Sequence, residues 1–208
     1  MGRYINAVCR LCRRQGEKLF LKGNRCSSPK CTLTKRAFAP GQHGQNRIKL
    51  SNYGVQLREK QKVKRMYGVL EKQFRRYFKT ASKTKGVTGK VLLQLLERRL
   101  DNFVFRLGLA TSRASARQVV RHNFIYVNSK RVNIPSYLIN VNDILEVKAK
   151  DKAKQNILNN IELCKERTVP SWLEFDVKGL KAKVLRLPEK EDISATIQEQ
   201  LIVELYSK

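Results

Sequence analysis

The sequence predicts an α+β chain in three parts: a zinc-knotted N-terminal region, a helical domain, and a small α+β unit whose sheet contains a β-hairpin. Three observations carry that prediction. Four cysteines stand in two close pairs between residues 9 and 31. Residues 56–107 then repeat apolar side chains at helical spacing, and residues 124–147 switch to short apolar runs separated by Asn, Ser and Asp. With 208 residues, 41% hydrophobic and 8% aromatic, the chain can bury a core despite a formal charge of +27.

The first part is read from its spacing: Cys9, two residues, Cys12, thirteen residues, Cys26, four residues, Cys31. Two close pairs across such a loop suit a tetrahedral Zn²⁺ site. Arg10, Arg13, Arg14, Lys22, Arg25 and Lys30 surround the thiols and would offset the charge of a four-thiolate centre. An iron–sulfur cluster or unmetallated thiols are the alternatives. A four-thiolate shell has no open position, so the expected Zn²⁺ is structural. "KLFLK" at 18–22 reads as a short strand between the pairs. His43 lies in "APGQHG", where Pro40, Gly41 and Gly44 mark a tight loop that lets backbone approach a phosphate.

A long helix is expected from about Gln56 to Lys79. Val63, Tyr67, Leu70, Phe74 and Tyr77 form its apolar stripe, with Arg58, Lys62, Arg65, Lys72 and Arg76 opposite. After the polar 80–89 segment, a second helix is expected from about Lys90 to Leu107, stopped by Gly108. Thr111 or Ser112 caps a short helix to about His122, along which Arg113, Arg117 and Arg121 recur every fourth residue and project together. "FIYVN" and "KRVNI" form a hairpin about Asn128-Ser129, and "YLIN" and "ILEV" add strands. Beyond residue 150 come the helical "DKAKQNILNNIELCKER", strand-like "LEFDV" and "KVLRLP", and an apolar C-terminal stretch. Cys164 and Trp172 are read as packing residues.

The charge is uneven. Residues 1–50 hold 12 basic and 1 acidic side chains and residues 51–100 hold 14 and 3, whereas residues 151–208 hold 10 of each. A chain so polarised repels itself unless a polyanion neutralises it, and nucleic acid is the expected partner. No apolar run is long enough for a membrane span, and the start lacks a signal-peptide core, so a soluble cytoplasmic protein is expected. No P-loop, GxSxG, HExxH or convincing carboxylate pair points to catalysis or to a small-molecule substrate. A tRNA- or rRNA-modifying enzyme and a zinc-dependent DNA regulator are the rival classes.

The segment "RLDNFVFRLGLATSRASARQVVRHNFIYVNSKRVNIPSYLINVNDILEV" resembles the RNA-binding module named after the fourth protein of the small ribosomal subunit. "CRLCRR", "LFLKG", "PGQHG", "YGVQLREKQKVKRMYGVLEKQFRRYF" and "LLQLLERRLDN" resemble other segments of that family, in its bacterial four-cysteine type. The resemblance implies a primary binder of small-subunit rRNA at a junction in the 5′ domain. It implies nucleation of subunit assembly and an effect on decoding accuracy beside small-subunit proteins three and five, near where mRNA enters. It carries an RNA surface onto Arg3, Arg10, Arg13, Arg14, Gln42, His43, Arg58, Lys62, Arg65, Arg113, Arg117 and Arg121. It also implies that the module is inserted: residues 1–45 bind zinc, residues 46–97 form a helical domain completed by 171–208, and residues 98–170 bind RNA.

Overall fold

The computed structural model describes residues 2–46, 49–165, 167–193 and 197–207. In chain order the helices are α1 (Cys9–Gln15), α2 (Thr32–Lys35), α3 (Asn52–Met66), α4 (Glu71–Lys83), α5 (Thr88–Glu97), α6 (Leu100–Arg106), α7 (Arg113–Arg121), α8 (Asp151–Leu163) and α9 (Glu199–Tyr206). The strands are β1 (Ile125–Val127), β2 (Lys130–Arg131), β3 (Ile144–Val147), β4 (Leu173–Asp176) and β5 (Lys181–Val184). The chain divides into one unit of residues 1–92 and 195–208 and another of residues 93–194.

In the first unit α3 starts where the Ser51 hydroxyl accepts the Gly54 N–H at 3.2 Å, a side-chain N-cap. It ends in a Schellman turn: Val69 N–H bonds to Lys64 O at 3.0 Å, and Gly68 N–H to Arg65 O at 3.2 Å. Gly68 sits at φ +64°, where a side chain would be strained. The expected Gln56–Lys79 helix is therefore two helices, and the stripe cannot be continued across the break. Val63, Tyr67, Phe74, Tyr77, Leu92 and Ile202 form the unit's core.

The C-terminal helix α9 is fastened to α3 and α4. Gln56 Nε2 donates to Glu204 at 2.9 Å, and Tyr206 O–H donates to Glu71 at 2.9 Å. The Tyr206 ring stacks on Phe78, with centroids 4.5 Å apart. Glu71 also accepts from Lys60 at 2.8 Å and Lys64 at 2.9 Å. Desolvation works to raise the Glu71 carboxyl, but these three donors outweigh it and bring the group from 4.5 to about 2. A depressed carboxylate stabilises the fold above its unfolded value and loses that contribution as pH falls through its folded one. We predict that Glu71→Gln lowers stability at neutral pH and flattens the stability profile between pH 4.5 and about 2. Denaturant titrations across that window check it, and a variant with the parent's slope contradicts it.

The second unit is built on an antiparallel sheet of order β2-β1-β3-β5-β4. Asn128 (φ 48°) and Ser129 (φ 66°) are both left-handed, which matches the hairpin turn to the strands' right-handed twist. Asn128 Nδ2 donates to Asp143 at 2.8 Å and its Oδ1 accepts Ile144 N–H at 2.9 Å, so the turn is tied to the start of β3. Leu100, Phe103, Leu109, Val120, Ile125, Leu145, Trp172 and Val184 fill the core. Trp172 is 1% exposed and meets Phe103 edge-on at 5.9 Å, the packing role expected of it.

Several expectations are corrected. Residues 18–22 form no strand: Phe20 turns at φ 50°, and all the described strands lie in the other unit's sheet, leaving no edge to pair with. The expected 90–107 helix breaks at Arg99, which is extended (ψ 135°) and bridges to Leu138, while Asn102 Nδ2 bonds to Glu97 O at 3.1 Å across the break. "YLIN" makes only that bridge. The 171–208 tail does not return as a whole to the helical domain. Residues 171–193 supply β4 and β5, whose Leu173, Ala182 and Val184 point into the second unit's core, while 197–207 pack in the first.

Candidate nucleic-acid interface

The N-terminal thiols gather where three short segments meet. Cys9 and Cys12 occupy successive turns of α1, Cys26 ends a 3₁₀ turn (Gly23–Cys26), and Cys31 precedes α2. Cys12, Cys26 and Cys31 are buried, Cys9 is half-buried, and all four are free. Burial raises the Cys12 and Cys26 thiols, and the charges of the other cysteines add to the rise. Backbone N–H groups oppose it, among them Lys22 N–H, 3.3 Å from Cys26 Sγ. At Cys31 desolvation is the largest influence, but N–H groups of Leu33 and Thr34, the Thr34 hydroxyl and Lys18 outweigh it and lower the thiol. Among the described residues no three His, Cys, Asp or Glu side chains are arranged to hold a metal ion.

Arg3 and Arg10 are exposed, but Arg13 and Arg14 are engaged within the chain. Arg13 Nε donates to Phe38 O at 2.9 Å, with its guanidinium carbon 4.9 Å from the Phe38 ring centre. Arg14 Nη2 donates to Pro40 O at 2.9 Å. The two arginines thus anchor the loop that exposes Gln42 and His43. That loop closes tightly at Gly44, where a Cβ would lie 1.9 Å from Ala39 O. The resemblance implied an RNA contact for these arginines; in the structure their side chains hold this loop.

On α3 the named cations separate. Lys62 is buried and paired with Glu17 at 3.0 Å and Glu59 at 3.6 Å, so it does not present a cation to a partner. Arg58 Nη1 donates to Arg14 O at 2.8 Å. Desolvation lowers the Arg58 and Arg65 guanidinium values, and neighbouring arginines lower them further: Arg14 acts on Arg58, and Arg58 and Arg14 act on Arg65. Arg14, Arg58 and Arg65 therefore form a self-repelling positive cluster, the arrangement an incoming phosphate relieves.

In the second unit α7 is capped by the Ser112 hydroxyl, which accepts Ser115 N–H at 3.2 Å. The arginine ladder it carries is graded. Arg113 is half-buried, donating to Asn102 Oδ1 at 2.8 Å and covering the Phe105 ring at 4.4 Å; Arg117 is half-buried and Arg121 exposed. Lys130 and Arg131 are exposed on β2 beside it in sequence. His122 stacks on Phe124 at 5.9 Å, and Lys148 Nζ lies 4.8 Å from the Tyr126 ring centre. Sequence reasoning missed these aromatic pairs. Their signal was the alternation of Phe124 and Tyr126 with the buried Ile125 and Val127.

Residues 3–97 match the family model described as the ribosomal protein S4/S9 N-terminal domain, and residues 98–145 match the S4 domain. Small ribosomal subunit protein uS4 of Acetivibrio thermocellus is 59% identical over 208 residues, covering all of both chains. The uS4 proteins of Caldicellulosiruptor saccharolyticus (60%) and Ruminiclostridium cellulolyticum (58%) match over the same full length. The chain belongs to the uS4 family of ribosomal proteins. The S4-domain match ends at Leu145, within β3, so in this chain the sheet continues beyond the matched module through β5 and β4. No helix among the described residues is long and apolar enough to cross a membrane.

Proposed function

We propose that this chain is a structural, non-catalytic protein of the small ribosomal subunit that binds small-subunit rRNA and helps nucleate assembly of the subunit body. One observation carries the reading: the Arg14, Arg58 and Arg65 cluster in a chain 59% identical, end to end, to a small-subunit protein. Its cations suit phosphate contact, and their fixed spacing on α1 and α3 suits recognition of RNA shape rather than base edges. The 5′-domain junction is the proposed rRNA target. Small-subunit proteins three and five, and mRNA where it enters, are the proposed neighbours. The test is backbone footprinting of a 5′-domain transcript with the purified chain. Protection confined to one junction supports the reading; protection scattered along the transcript, as on unrelated RNA, overturns it.

Cys9, Cys12, Cys26 and Cys31 are proposed to hold one structural Zn²⁺. The gathering of the four cysteines where three short segments meet, the burial of three of them and the N–H groups directed at their sulfurs support this. Because the thiols are not arranged for coordination among the described residues, binding would have to draw them together. Bound there, Zn²⁺ supplies folding energy and offers no catalytic position. We predict about one Zn²⁺ per chain, lost in Cys9→Ser together with protease resistance of residues 1–45. Elemental analysis of the purified chain checks it, and a metal-free parent contradicts it.

A further inference from the structure

The cations of α4 differ from those of α3. Lys60 and Lys64 are paired with Glu71, and Lys62 with Glu17 and Glu59. Lys72, Arg75, Arg76 and Lys79 are exposed, and among the described residues none of these four side chains makes a salt bridge or a hydrogen bond; only the backbone carbonyls of Arg76 and Lys79 accept, from the Thr80 and Ser82 hydroxyls. They stand at i, i+3, i+4 and i+7, so they share one face within an arc of roughly 100° and extend over about 10 Å of helix. With Glu71 they line an open groove of about 420 Å³. The opposite face buries Phe74, Tyr77 and Ala81, so packing fixes which way the cations point. The one carboxylate beside the groove, Glu71, is already bonded to Lys60, Lys64 and Tyr206.

We infer that the outer face of α4 is a second phosphate-binding surface, taking the backbone of an RNA strand independently of its sequence. The inference rests on the rRNA-binding reading above and adds a site to it. A row of two lysines and two arginines with no aromatic or amide group among them makes phosphate contacts that read charge spacing and not bases. The sequence pattern shows only part of it, Lys72 and Arg76. A continuous helix would group Lys72 and Arg76 with Arg58 and Lys62, whereas the turn at Gly68 gives α4 a face of its own.

The experiment compares the parent with the fourfold variant K72Q/R75Q/R76Q/K79Q, in the full-length chain, binding a 5′-domain transcript and an unrelated structured RNA between 50 and 200 mM salt. Each lost phosphate contact removes about 0.7–0.9 from the slope of log affinity against log salt, so the four together should lower it by about 3. The loss should be similar for both RNAs, with helix content and melting temperature kept, because all four side chains are exposed. An unchanged slope, while the parent still prefers the 5′-domain transcript, overturns the α4 surface and leaves the rRNA reading standing. A parent without preference for that transcript overturns the rRNA reading instead, and a reduced variant slope would then still support α4 as a phosphate-binding face.

Discussion

Glu97→Ala should destabilise the second unit by about 3–5 kcal/mol, the cost of leaving a buried charge without its partner. Glu97 is 1% exposed and receives Arg106 Nη2 at 2.7 Å, Arg106 Nε at 3.0 Å and Asn102 Nδ2 at 2.6 Å. Removing the carboxylate leaves Arg106 buried beside Arg167, whose guanidinium value is lowered first by desolvation and is lowered further by Arg106. It also removes an acceptor from Asn102, which closes the break between α5 and α6 and accepts from Arg113 on α7. The damage therefore reaches the arginine ladder. A fall in melting temperature of roughly 10 °C or more is expected for a chain of this size. Calorimetry of Glu97→Ala beside Glu97→Gln, which keeps the shape and some of the hydrogen bonds, checks it. A loss under about 1 kcal/mol would mean that the pair is dispensable.

The second large effect concerns RNA. Replacing Arg58 and Arg65 with glutamine should weaken binding to the 5′-domain transcript by about 10²–10⁴-fold, from about 1.5–3 kcal/mol for each charged hydrogen bond lost. The free chain should lose little stability, because relief of the repulsion among the guanidiniums offsets the lost hydrogen bond from Arg58 to Arg14 O. Weakened binding with little loss of stability marks a site held under strain for its ligand. Salt titrations of affinity and denaturant unfolding of the same double variant check both halves. A variant that binds normally, or one that loses stability in proportion to affinity, contradicts the assignment.

How far the sequence reaches can be judged from these residues. The helical stretches from about residue 56 to 122, the hairpin and β3 were legible because apolar period and turn residues are local, whereas the short α1 and α2 were not read. The break at Gly68 was marked only by one glycine inside an otherwise continuous helical pattern, and that pattern prevailed. Lys62 was read as a surface cation because its partner Glu17 is assigned by the fold and not by charge composition, and the buried pairs Arg99–Asp101 and Arg106–Glu97 were not foreseen for the same reason. The same ambiguity hid the roles of Arg13 and Arg14, whose acceptors are backbone carbonyls 25 and 26 residues away. The placement of residues 171–193 was illegible for a related reason. A strand's pattern says which face is buried, but not which sheet it joins.

The central claim is that cationic faces held at fixed spacing recognise the shape of one rRNA junction. Competition binding at moderate salt tests it most directly, with labelled 5′-domain transcript challenged by the unlabelled transcript, by unrelated structured RNA and by duplex DNA. Effective competition by the 5′-domain transcript alone is the predicted result. Equal competition by all three would mean that the +27 charge accounts for binding by itself, and would contradict shape recognition.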